Sequence, residues 1–188
     1  NMQDLAGLAP AINADGYVYA CPNAPISFEL GPGQIGFGWM TPRGGGTAEE
    51  TSNSEKLLSD FFDAVFKQFN VGPGQAVLLG FSQGGGMTYR CGLGRADHFA
   101  GLAALSATLP DQDELAARLP EGRGQSIFIG HGRFDQMVSD DSAQSAKSFL
   151  ESNGYSPEFH IYDMAHEISG EELADLVPWM TKVLPPKE

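Results

Sequence analysis

Gly80-Phe81-Ser82-Gln83-Gly84 sets a serine between two glycines, behind the apolar run Ala76–Phe81 and ahead of Gly85, Gly86 and the helical run Met87–Cys91. A serine on a tight strand-to-helix turn holds its Oγ above the sheet. Flanking glycines are needed because the backbone there is strained and the next helix packs closely. The N–H of Gln83, at the helix start, would face a developing oxyanion and be helped by the helix dipole. This is the local chemistry of a nucleophile. A hydroxyl is weakly nucleophilic at neutral pH, so it needs a base and a group that orients the base.

The chain has four histidines. His98 opens the run Phe99–Leu105 and reads as a surface or structural residue. His160 lies inside a strand pattern and reads as a packing residue. His131 ends the run Ser126–Gly130 and could touch the site. His166 falls in the loop Asp163-Met164-Ala165-His166, after the last strand and free to reach back, and is the expected base. With a nucleophile elbow the partners follow in the order serine, acid, histidine. The expected acid is therefore Asp135, in Gly130-His131-Gly132-Arg133-Phe134-Asp135, at the end of the strand before the histidine's strand. Asp163 stands only three residues before His166 and would have to fold back on itself. Asp140 and Asp141 read as helix N-terminal residues.

Alternating strands and helices must position these groups. Tyr17–Cys21, Ala76–Phe81, Phe99–Leu105 and Ser126–Gly130 are short continuous apolar runs, and Pro157–Tyr162 alternates more. Such runs suit strands of a parallel sheet covered on both faces. Glu50–Phe69 predicts a helix, with Leu57, Leu58, Phe61, Phe62, Val65, Phe66 and Phe69 at helical spacing. Asp140–Asn153 predicts another, stopped by Gly154, and Ser169–Val183 a closing one, with Ser169 and Glu172 at capping-box spacing. The expectation is a single α/β domain over residues 1–188. Pro22–Ala48 reads as a long glycine-rich irregular stretch, a pocket wall or lid. Its segment Gly31–Gly36 matches G-x-G-x-x-G in form, but no helix pattern opens at its third glycine, so nucleotide binding is not expected.

Composition narrows the partners. The 188 residues carry 24 acidic against 11 basic side chains, a net charge of −13, which argues against nucleic acid and anionic lipid surfaces. No apolar run approaches the roughly 18 residues of a membrane span, and no N-terminal pattern resembles a signal peptide. Cys21 and Cys91 make no disulfide framework or thiolate zinc site; two buried free thiols in a reducing cytoplasm are expected. Composition sets no oligomeric state.

The string GFSQGG at Gly80–Gly85 resembles the phospholipase/carboxylesterase family of α/β hydrolases, which includes acyl-protein thioesterases and small bacterial carboxylesterases. The likeness continues through Ala104-Leu105-Ser106, Leu109-Pro110, His131-Gly132 with Asp135 and Val138, and His166-Glu167-Ile168. It implies an α/β-hydrolase fold, with a mostly parallel central sheet, helices on both faces and no separate large cap domain. It also implies a serine esterase with Ser82 as nucleophile, His166 as base, Asp135 as orienting acid and the Gln83 N–H in the oxyanion hole. Trp39, in a Gly-Trp-Met context, and Met137 would line the substrate pocket.

Members of that family begin with a strand ending in a His-Gly-x-Gly type loop, which completes the oxyanion hole. Asn1-Met2-Gln3-Asp4 looks like the residues just after such a loop, and His131-Gly132 cannot replace it because it lies on the acid's strand. The first strand is thus expected to be absent, with roughly 15–30 residues preceding this sequence.

The function expected is hydrolysis of small to medium acyl esters by way of an acyl-enzyme. A thioesterase or lysophospholipase is the rival of the same class, and a catalytically silent binding protein the rival of another. A dienelactone-hydrolase-like enzyme would want cysteine at the elbow. Neither metal nor organic cofactor is expected, since no cluster has ligand spacing. Activity should rise as His166 loses its proton.

Overall fold

A computed structural model describes residues 2–13, 15–42, 44 and 46–186. The chain divides into two units, Asn1–Val71 with Pro186–Glu188, and Gly72–Pro185.

The first unit holds α1 (Met2–Ala6), α2 (Ala9–Ile12), the strands β1 (Ile26–Gly31) and β2 (Gln34–Gly38), and α3 (Ala48–Phe69). The stretch read as irregular from Pro22 to Ala48 therefore contains an antiparallel hairpin, with Ile26 opposite Gly38 and Gly31 opposite Gln34. Pro32-Gly33 makes its turn: proline pre-sets φ at the second turn position, and Gly33 supplies φ +75° at the third. The GPGQIG string is that turn and its return strand. Tyr17–Cys21, expected as a strand, belongs to no ladder among the described residues. It is locally tied instead, with the Tyr19 hydroxyl donating to the Asn13 carbonyl at 2.7 Å. An apolar run favours extension, but a strand also needs a neighbour to pair with. Helix α3 starts where predicted to within two residues, on a capping box between Thr47 and Glu50, and ends at Asn70 in the left-handed region.

The second unit carries β3 (Ala76–Phe81), α4 (Gln83–Gly92), β4 (Phe99–Leu105), α5 (Gln112–Ala116), β5 (Ser126–Gly132), α6 (Asp140–Ser152), β6 (Glu158–Tyr162) and α7 (Gly170–Val183). The four strands form one all-parallel sheet in the order β3-β4-β5-β6. Leu102–Leu105 and Ile127–Ile129 are buried throughout, because helices cover both faces. On one face α4 lies so close that a Cβ at Gly92 would meet Leu102, and one at Gly80 would meet the Gly84 backbone. On the other face α7 brings Trp179 to 5.6 Å from the Phe128 ring and sets Glu172 against Gly130. Helix α6 is capped by Ser139 and buries Ala143, Ala146, Phe149 and Leu150, the stripe its sequence predicts. Ser169 caps α7 by accepting from the Glu172 N–H at 3.2 Å. Glu172 does not complete the box: its carboxylate is fully buried with no hydrogen-bond partner on either oxygen.

All four strands run the same way, so their C-terminal ends share one rim. Phe81, Leu105, Gly130 and His160 lie in register across it. The loops leaving β3, β5 and β6 at that rim carry Ser82, Asp135 and His166.

Candidate active site

Ser82 follows β3 immediately and opens α4. Its φ of +55° and ψ of −122° lie where an L side chain is strained, a conformation costing about 1–3 kcal/mol. Neighbouring bonds hold it there. The Ser82 N–H donates to the Leu105 carbonyl at 2.9 Å, and its carbonyl accepts from the Gly86 N–H at 3.2 Å. Glycines are needed at 80 and 85: a Cβ at Gly80 would strike backbone, and one at Gly85 would lie 2.5 Å from the Ala107 Cβ. The sequence motif thus marks a crowded crossing of strand and helix that forces the serine outward.

Asp135 sits in the loop after β5 and its side chain is fully buried. Its Oδ1 accepts from the N–H groups of Met137 at 2.8 Å and Val138 at 2.9 Å. Its Oδ2 accepts from His166 Nδ1 at 2.7 Å. Burial works against ionisation here, but the bonds from Val138, His166 and Met137 outweigh it, and the carboxyl is held below the usual carboxylate range.

His166 lies between β6 and α7. Because Nδ1 faces a carboxylate it carries the proton, which leaves Nε2 as an acceptor for the Ser82 hydroxyl at 3.0 Å. Phe81 packs against the imidazole, with ring centroids 4.7 Å apart. The loops bearing Asp135 and His166 are stitched together: Arg133 N–H donates to the Tyr162 carbonyl at 2.8 Å and Phe134 N–H to the Met164 carbonyl at 3.0 Å. Gly132 is required at that seam, since a Cβ would run into the carbonyls of Met164 and Ala165.

Three of the residues singled out by type and order are thus brought into one hydrogen-bonded line. Gln83 is the first residue of α4, where the helix dipole favours negative charge. Met137 is 77% exposed and touches Asp135 through its backbone N–H. Trp39 is half-buried in the first unit, its carbonyl accepting from Ser54 Oγ. His98 pairs with Asp97 at the surface, and His160 stacks with Phe128 and Tyr162. Asp163 binds Arg133 at 2.7 Å. Phe81 and the carbonyls of Tyr162 and Met164 were not singled out by sequence. Phe81 could have been, as the residue before the serine; carbonyl contacts leave no mark on residue type. Neither Cys21 nor Cys91 is in a disulfide, and both are half-buried. Among the described residues no cluster of three or more His, Cys, Asp or Glu could hold a metal ion, and no helix is long and apolar enough to cross a membrane.

A model of the phospholipase/carboxylesterase family matches residues 17–184. The sequence is 32% identical over 149 residues to an acyl-protein thioesterase 1 of Mycosarcoma maydis, covering 74% of this chain and 62% of that protein. It is 30% identical over 169 residues to a probable carboxylesterase of Oryza sativa subsp. japonica, covering 86% of this chain and 63% of that protein. The chain therefore spans less than two thirds of the length of either relative. Among solved structures, Arabidopsis thaliana SOBER1 superposes with a TM-score of 0.81 at 23% identity, over 97% of this chain and 93% of that one. A Bacillus cereus carboxylesterase does so with a TM-score of 0.81 at 20% identity, over 97% and 83%. At those identities the likeness shows the fold, an α/β hydrolase.

Proposed function

The chain belongs to the phospholipase/carboxylesterase family, and we propose that it is a serine hydrolase of small to medium acyl esters working through an acyl-enzyme on Ser82. The observation that carries this reading is the line Asp135 Oδ2–His166 Nδ1 at 2.7 Å and His166 Nε2–Ser82 Oγ at 3.0 Å. Ser82 Oγ attacks the ester carbonyl as its proton passes to His166 Nε2, and Asp135 stabilises the imidazolium that forms. The Gln83 N–H, at the positive end of α4, receives the oxyanion. Collapse of the tetrahedral intermediate breaks the ester C–O bond, and His166 returns its proton to the departing alcohol. Water then attacks the acyl-enzyme with His166 again as base, releasing the acid and the serine. Met137, beside Asp135, would flank the acyl group.

A thioester would follow the same course with a thiol leaving, and the Mycosarcoma maydis relative favours that second reading. Two cysteines outside any disulfide suit a reducing cytoplasm. The test is labelling with a fluorophosphonate probe followed by peptide mass spectrometry, with matched oxygen and thiol esters of increasing acyl length as substrates. Adduct on Ser82, and its loss together with roughly a millionfold of kcat in Ser82→Ala, is the expected result. Folded protein that takes no adduct on Ser82 would leave a binding role as the better reading.

A further inference from the structure

His131 takes no part in the proton transfers above, yet it lies against the acid. It is fully buried near the end of β5. Its Nε2 stands 2.9 Å from the Val138 carbonyl and 3.6 Å from Asp135 Oδ2. A carbonyl can only accept, so Nε2 carries a proton. Nδ1 is buried with no hydrogen-bond partner, so a second proton there would have nowhere to go. The imidazole is thereby set as the neutral Nε2–H form. Val138 is then held at both ends, its N–H on Asp135 Oδ1 and its C=O on His131. The other charged groups of these two loops are His166, on Asp135 itself, the exposed Arg133–Asp163 pair and the exposed Glu167.

Resting on the proposed roles of Ser82, His166 and Asp135, we propose that His131 is a positioning residue for the acid: through Val138 it clamps the turn that aims Asp135 Oδ2 at His166, and it turns an N–H rather than a cation toward that carboxylate. Two imidazoles thus share one carboxylate in unequal parts. His166 takes the short bond and exchanges protons, while His131 stays neutral and fixes the frame. A charged His131 would compete with His166 for Asp135.

His131→Leu fills the site without a donor, and His131→Asn is too short to reach Val138. His131→Gln carries a side-chain N–H to nearly the place of Nε2. In the first two, kcat for an aryl ester should fall on the order of 10- to 100-fold with KM within about twofold, as for a group displaced by part of an ångström. The acidic limb of kcat/KM should move to lower pH, because a loosened carboxylate stabilises the imidazolium less. His131→Gln should recover most of kcat and the limb. Wild-type kcat and limb in a folded Leu or Asn variant would overturn the proposal. The unmodified protein gives a check free of folding effects: nitrogen NMR of the imidazoles at pH 7 should find His131 as the Nε2–H form, and a Nδ1–H form or a cation would overturn it. That spectrum needs no turnover, so failure of the hydrolase reading, seen as no adduct on Ser82, is told apart from failure of this one.

Discussion

Glu172 is the residue whose replacement tests the energetics of this fold most directly. Its carboxylate is fully buried beneath β5 with both oxygens unpartnered, and burial pushes its pKa from 4.5 up to about 8. Its place in the first turn of α7 favours the anion, by at most about 2 kcal/mol, so burial prevails. Between those two values the folded protein keeps a proton that the unfolded chain has released. Stability from this group is therefore complete below about pH 4.5 and is lost as pH rises through about 8. At about 1.4 kcal/mol per pH unit, the interval sums to about 5 kcal/mol. Glu172→Gln abolishes the titration but buries an amide lacking partners, at a cost of about 1–3 kcal/mol. The curves should cross: the variant is less stable than the parent near pH 5 by about 0–2 kcal/mol and more stable near pH 9 by about 2–4 kcal/mol. Urea unfolding followed by tryptophan fluorescence from pH 5 to 9 measures this, and the upper figure corresponds to roughly 4–16 °C in Tm. Parallel curves would refute the argument.

Asp135→Asn should lower kcat by about 10³- to 10⁴-fold, since an amide can hold His166 in the wrong tautomer, and unchanged ester turnover would count against Asp135 as the acid. The same variant should lose stability relative to the parent only above the lowered Asp135 pKa. The parent's advantage is present above the ordinary carboxylate range and disappears as pH falls through that value, which urea titrations between pH 2 and 5 would show. Gly130→Ala should destabilise by about 1–3 kcal/mol because its Cβ falls on Glu172 Oε1. Combining it with Glu172→Ala should cost less than the two singly, and simple additivity in that double-mutant cycle would contradict the packing described. Ser106 has φ +46° and a buried hydroxyl without a partner, so Ser106→Gly should raise Tm by about 2–4 °C; a fall would show that the hydroxyl stabilises the fold.

Residue type and order mark Ser82, Asp135 and His166, and the structure brings the three into one hydrogen-bonded line. The elbow announces itself because a crowded strand-to-helix crossing needs glycine, and glycine is visible in sequence. Asp135 and His166 follow because a parallel sheet returns every strand to the same rim, so the loops after successive strands lie together. Strands β4 and β5 are legible because they are buried on both faces and hence continuously apolar, whereas β6, half-exposed, alternates. The hairpin Ile26–Gly38 is hard to read from sequence because its turn, Pro32-Gly33, lies among many glycines that make the stretch look irregular. Tyr17–Cys21 reads as a strand but pairs with none among the described residues, because apolar content reports a need to be covered and not a partner to pair with. His131 was placed near the site, but its relation to Val138 depends on a backbone carbonyl, which no residue type encodes.

The parallel order β3-β4-β5-β6 has a consequence for how this protein acquires its site in time. Ser82 lies 84 residues from His166 in sequence, and β4, which bears none of the three groups, sits between the serine's strand and the acid's. Closing such separations is slow relative to forming a helix. No two-strand intermediate can join Ser82 to His166, and even a β5–β6 pair yields only the Asp135–His166 half. On the proposed function, regain of a reactive Ser82 during refolding should therefore follow the last of these strands to dock and trail the return of helical signal.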